Sequence, residues 1–256
     1  MEAVVTTGAK NGVYSGNAAR AFAEAHNWKF VPREKRPVHA LLNEWHCPVI
    51  VYGRERIEIH KPETAPFFYH PNGAVLKYYD WKQKKTSPLL RAIEAEPGGR
   101  LIDATMGLGA DSLFLQAAVP DFTITAVEAS PLLSAVVQEG FLQFPMPEDE
   151  LAAAAAKISI VNEEHTTYLK KQGTDSVEYV YFDPMFDQAD KTSKGIAPLR
   201  SYAAYGRLSV EAFEQAVRTA SKRVVVKADP ENELFRQFPF KKISAGNAHC
   251  YGYYDC

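Results

Sequence analysis

The chain has 256 residues, 46% of them hydrophobic and 23% charged, and a formal net charge of −2, enough to bury one large domain or a domain with a smaller companion. No apolar run approaches the roughly 20 residues needed to cross a bilayer, and the first residues lack a secretion signal, so a cytoplasmic protein with no membrane partner is expected. The near-neutral charge excludes a globally basic nucleic-acid-binding surface, leaving only local candidates: Lys82-Gln83-Lys84-Lys85, Lys191 with Lys194, Arg200, and Lys222-Arg223.

Ala18-Ala19-Arg20-Ala21-Phe22-Ala23-Glu24-Ala25 predicts a short helix with Ala18, Phe22 and Ala25 on one face. Val49-Ile50-Val51-Tyr52, the turn Gly53-Arg54-Glu55 and the alternating Arg56-Ile57-Glu58-Ile59-His60 predict a hairpin with its outer face in water. Pro62, Pro66 and Pro71-Asn72-Gly73 then punctuate the chain, which sets off residues 1–75 as a small α/β module ahead of a second domain at 76–256.

From Leu90 onward, strands and helices alternate, the signature of a parallel sheet with crossover helices. Leu101-Ile102-Asp103-Ala104 is the first of these strands, and a helix over 111–118 follows a glycine turn. Residues 122–128 form the second strand, after which Ser130-Pro131 opens a helix, because serine accepts an orphan N–H and proline suits the first turn. An alanine-rich helix over 148–156 precedes a third strand at 158–161, and 177–182 is the fourth. Ser209 caps a helix running through Ala220, the β-branched run 223–227 is a buried strand, and 248–254 supplies a last antiparallel strand.

In Asp103-Ala104-Thr105-Met106-Gly107-Leu108-Gly109-Ala110-Asp111, a strand ends in a carboxylate and passes through two glycines into a helix. Glycine permits the sharp turn and a close ligand, and the helix start offers unpaired N–H groups. The next strand ends at Glu128, placed to accept from both ribose hydroxyls of an adenosine. A dinucleotide site wants a third glycine and no anion nearby, whereas here that position is Ser112 and Asp103 stands before the loop. An anion there repels a pyrophosphate and suits the ammonium and sulfonium of S-adenosylmethionine. The alternatives are a ligand-free glycine turn and a nicotinamide-dependent oxidoreductase. Near the third strand, Glu164 or the backbone at His165 is a candidate adenine contact, although Asn162-Glu163-Glu164 reads equally well as a solvated loop. Cys47, Cys250 and Cys256 form no C-x-x-C pair and the seven histidines are scattered, so no metal is expected.

The fourth strand runs directly into Asp183-Pro184-Met185-Phe186. An exocyclic amine on a base is a poor nucleophile because its lone pair is delocalised into the ring. The Asp183 carboxylate and the Pro184 carbonyl are acceptors that return some of that lone pair to nitrogen, and Phe186 would stack on the base. Alone, the tetrapeptide is an ordinary strand-ending turn; downstream of Asp103 and Glu128, it reads as a target site.

These stretches, with Lys222-Arg223-Val224-Val225-Val226-Lys227, resemble the bacterial 16S ribosomal RNA guanine-N2 methyltransferases with the D-P-M-F motif and, more closely, their Gram-positive relatives. Weaker similarity at Pro71-Asn72-Gly73-Ala74-Val75 and in the N-terminal helix extends the resemblance over most of the chain. It implies a Rossmann-like class I methyltransferase fold, a mostly parallel seven-stranded sheet with helices on both faces, alongside the small N-terminal α/β module. It implies S-adenosylmethionine as cofactor, held by Asp103, Thr105, Gly107, Gly109, Asp111, Glu128, Ala129 and Glu164. It also implies an RNA substrate with guanine N2 as acceptor, Asp183, Pro184 and Phe186 as catalytic residues, and Met185, Lys194, Arg200 and Lys227 at the base or phosphate. For Lys194 a plain surface charge is an equal reading. The chain departs from the ribosomal enzymes in carrying Tyr78-Tyr79-Asp80-Trp81-Lys82-Gln83-Lys84-Lys85-Thr86-Ser87 where they have a segment rich in glycine and arginine, and in having Asp187 after Phe186. A catalytically silent RNA-binding protein on the same fold is the third possibility.

Overall fold

The computed structural model describes residues 3–8, 13–54, 56–184, 208–244 and 249–256. In chain order, the elements are β1 (Val4–Thr7), α1 (Val13–Ala25), β2 (Lys29–Phe30), α2 (Val38–Trp45), β3 (Val49–Tyr52), β4 (Ile57–His60), β5 (Phe67–Phe68), α3 (Asn72–Lys84) and α4 (Pro88–Ile93). They continue with β6 (Arg100–Asp103), α5 (Ala110–Ala118), β7 (Thr123–Glu128), α6 (Pro131–Gln143), α7 (Asp149–Lys157), β8 (Ser159–Asn162), α8 (His165–Lys170) and β9 (Val177–Phe182). The last are α9 (Val210–Thr219), β10 (Ala220–Ala228), α10 (Leu234–Gln237), β11 (Lys241–Ser244) and β12 (Cys250–Asp255). The described residues divide into two units, one built from those within 1–70 with 131–145, the other from those within 71–130, 146–184 and 208–256.

In the first unit, the strands form a mixed sheet in the order β2-β1-β3-β4-β5. Strand β3 is central and buried along its whole length, which is why its sequence is continuously apolar. The expected hairpin is present, with Val49 opposite His60 and Tyr52 opposite Ile57. In β4, Ile57 and Ile59 are buried while Glu58 and His60 are partly exposed. Helix α1 corrects one expectation: Ala19, Phe22 and Ala23 are its buried stripe, and Ala25 is exposed. The expected positions are spaced i, i+4, i+7 and the buried ones i, i+3, i+4, so Phe22 alone is common to both and Ala18 is only partly buried. Helix α6 belongs to this unit, where Tyr69 meets Phe141 edge-on at 5.6 Å.

The second unit holds a seven-stranded sheet in the order β11-β12-β10-β9-β6-β7-β8. All neighbouring pairs from β8 to β10 are parallel, and β12 runs antiparallel to both β10 and β11. On β9, Val180 and Phe182 join the core with Val224, Val226, Ala212 and Ala216, while Tyr179 and Tyr181 point to the other face. Helix α9 covers that core and begins at Ser209, whose hydroxyl accepts from the Ala212 N–H at 3.0 Å. The chain leaves β6 toward β7 and β8 and returns to β9 on the opposite side of β6. This reversal opens a crevice at the C-terminal ends of β6 and β9, the place where open α/β sheets bind ligands.

Candidate active site

Strand β6 delivers Asp103 to the crevice buried, only 1% exposed. Its carboxylate accepts from the Ser112 hydroxyl at 2.5 Å and from the Thr105 N–H at 3.2 Å. Burial, reinforced by the charges of Asp111 and Asp183, pushes this carboxyl up to about 7 against those hydrogen bonds. The loop then turns through Gly107 (φ +55°) and Gly109 (φ +67°), left-handed positions that favour glycine. A Cβ at Gly107 would meet nothing closer than the Thr105 carbonyl at 4.0 Å, so that side of the loop lies open. Gly109 starts α5 without a side-chain cap, and the first N–H groups of a helix are donors that an anion or a polar ligand can use.

Glu128 ends β7, two residues beyond the partner of Asp103 in the register. It is buried and accepts from the Gly107 N–H at 3.0 Å and the Ser130 N–H at 2.8 Å, so it ties the glycine loop to the second strand. Burial raises its carboxyl against those backbone donors. Ala129 beside it is partly exposed. A buried acid facing a glycine turn, with a second acid one strand away, is a set of acceptors that could hold a cationic ligand bearing hydroxyl groups.

On the other side of β6, the register pairs Asp103 with Tyr181, and Asp183 follows two residues later. The Asp183 N–H donates to Thr105 Oγ1 at 2.6 Å, which links the end of β9 to the glycine loop through a side chain anticipated only as a cofactor contact. Pro184 is buried directly after it. Asp183 Oδ2 lies 2.6 Å from Lys227 Nζ, and the same ammonium is 3.5 Å from Asp111 Oδ2.

Three of the anticipated contacts have partners within the protein. Asp111 is buried and enclosed by Lys77, by the Tyr181 hydroxyl at 3.0 Å and by Lys227. Burial works to raise its carboxyl, but the ammonium groups of Lys77 and Lys227 outweigh it and hold the group well below the usual range. Lys227 pairs with two carboxylates. Both Glu164 oxygens cap α8, accepting from the N–H groups of Thr166 at 2.9 Å and Thr167 at 2.8 Å, and these bonds overcome burial to bring it down to about 2. Met185, Phe186, Lys194 and Arg200 lie outside the described residues. Reading of the sequence missed Ser112, Tyr181 and Lys77; alternation along β9 was the available signal for Tyr181, and only the fold brings Lys77 to Asp111.

A profile of the family described as "Putative SAM-dependent methyltransferase" matches residues 48–254. The chain is 33% identical over 246 residues, 96% of each protein, to YpiP of Bacillus subtilis, described as uncharacterized. It is 30% identical over 144 residues to ribosomal RNA small subunit methyltransferase J of Pseudomonas paraeruginosa, a match spanning 54% of each chain. A crystal structure of a SAM-dependent methyltransferase from Neisseria gonorrhoeae superposes with a TM-score of 0.66 at 20% identity, covering 98% of this chain and 95% of the other. The chain belongs to the SAM-dependent methyltransferase family, with the class I fold and S-adenosylmethionine as its cofactor.

Proposed function

We propose that the protein transfers the methyl group of S-adenosylmethionine to an exocyclic amino group of RNA, with guanine N2 of ribosomal RNA as the acceptor. The observation that carries this reading is the position of Asp183, tethered at 2.6 Å to Thr105 of the cofactor loop at the end of the strand next to Asp103. The partial match to a ribosomal RNA methyltransferase supports RNA as the substrate.

When bound, the cofactor supplies an electrophilic methyl on its sulfonium. Asp103 holds its cationic end, Glu128 accepts from the ribose hydroxyls, and the Gly107-Leu108-Gly109 turn lets the backbone approach closely. Asp183 and the Pro184 carbonyl accept hydrogen bonds from the target amine and draw its lone pair out of the ring, Asp183 takes up the proton released on transfer, and Phe186 and Met185 stack against the base. Lys194 and Arg200 contact the RNA backbone in this reading. Fixing nitrogen at about 3–3.5 Å from the methyl supplies much of the acceleration by positioning.

The test is methyl transfer from labelled S-adenosylmethionine to ribosomal RNA, with the products resolved as nucleosides. Asp183→Ala should keep cofactor affinity in calorimetry while transfer falls about 100-fold or more. Undiminished transfer by this variant, or no methylated nucleoside from the wild type, would overturn the reading.

A further inference from the structure

The register of β9 and β10 pairs Val225 with Tyr181 and Val226 with Phe182. Lys227 and Asp183 therefore leave their strands side by side at the crevice, and their side chains meet at 2.6 Å. From Lys227 the contacts run inward to Asp111 at 3.5 Å and from there to Lys77. Lys77 reaches Asp111 because α3 lies close on α5: a Cβ added at Gly73 would come within 3.1 Å of the Ala110 Cβ. The result is a row of alternating charges, Lys77, Asp111, Lys227 and Asp183, that starts on a helix and ends at the reacting end of β9.

An ammonium as enclosed as that of Lys227, whose side chain is 19% exposed, is stable only when paired. It has two carboxylate partners, of which one, Asp111, is fixed from behind by Lys77 and by the Tyr181 hydroxyl. Asp183 is then held twice, by Lys227 at Oδ2 and by Thr105 at its own N–H. Among the described residues none donates to Oδ1, and the side chain is 33% exposed. A carboxylate fixed in this way has lost its rotational freedom before an acceptor arrives, and pre-set geometry of this kind is where much of catalytic positioning comes from.

We propose that Lys227 is a positioning residue for methyl transfer: it pins Asp183 by one oxygen so that the other meets the target amine, and Asp111 with Lys77 keeps Lys227 in place. The proposal rests on the role given to Asp183 above. It places Lys227, Asp111 and Lys77 outside direct contact with RNA or cofactor.

Kinetics on the full chain, with S-adenosylmethionine and ribosomal RNA, test it. Lys227→Met should lower kcat about 100-fold while cofactor affinity and the KM for RNA change by less than about threefold. Lys227→Arg, which restores the cation, should recover about tenfold of that loss. Lys77 is 32% exposed at its side chain, and without it Asp111 keeps the Tyr181 hydroxyl and Lys227, so Lys77→Met should fold and should lower kcat about fivefold at unchanged KM. A raised KM with unchanged kcat in Lys227→Met would mean that Lys227 binds phosphate, and the proposal would be wrong. It would be equally wrong if Lys77→Met matched the wild type, an outcome readable even if the Lys227 variants fail to fold. Absence of RNA methylation by the wild type is a separate failure, that of the acceptor assignment, and would take this proposal with it.

Discussion

Asp103 carries a conflict between folding and binding. Its carboxyl ionises at about 7 in the folded chain, against about 3.9 when unfolded. With the folded value raised, its stability contribution is full below about pH 4 and is lost as pH rises through about 7. Asp103→Asn should therefore melt higher than the wild type at pH 8, in the absence of cofactor, and nearly level with it at about pH 4, as followed by differential scanning calorimetry. The ionised form is the one that attracts a cation. The dissociation constant for S-adenosylmethionine should fall about tenfold between pH 6 and pH 8, and Asp103→Asn should flatten that dependence; an equally steep profile in the variant would refute the assignment. At this scale the sequence was legible wherever chemistry is local. Asp103, Gly107, Gly109 and Glu128 stand at strand ends and turns that their neighbours announce. The ion row was not legible, since Asp111 meets Lys77 34 residues away and Lys227 116 residues away.

The strands of the catalytic sheet were readable because parallel strands covered on both faces need continuous apolar runs. Strand β9 falls where expected, at Val177–Phe182. Less apolar elements escaped. Strand β11, Lys-Lys-Ile-Ser, is a short charged edge strand with no alternation to reveal it. Helix α3 begins at Asn72, within the Pro71-Asn72-Gly73 cluster that reads as a turn, and buries only Ala74 and Tyr78 along its length. Its importance lies in Lys77 and in its approach to α5, neither of which periodicity displays. Helix α9 was legible from its cap, and the cap gives a test: Ser209→Ala should cost about 1 kcal/mol, seen as a melting temperature lower by about 2–4 °C. An unchanged melting point would mean that the Ser209 bond to Ala212 contributes nothing.

At the scale of the whole molecule, composition allows a large domain with a companion, but sequence order could not assign helix α6 to the first unit, because that grouping joins residues far apart in the chain. No helix among the described residues is long and apolar enough to cross a membrane. Ligand linkage tests the molecule as a unit: S-adenosylmethionine at a hundredfold excess over its dissociation constant should stabilise the fold by about 2.7 kcal/mol, and NADH should leave the melting temperature unmoved. The most direct measurement of the central claim is a comparison of ribosomal RNA nucleosides, by mass spectrometry, between a strain lacking this protein and its parent. Loss of an N2-methylguanosine, restored by the wild-type protein and not by Asp183→Ala, is the predicted result; an identical set of methylated nucleosides in both strains would contradict it.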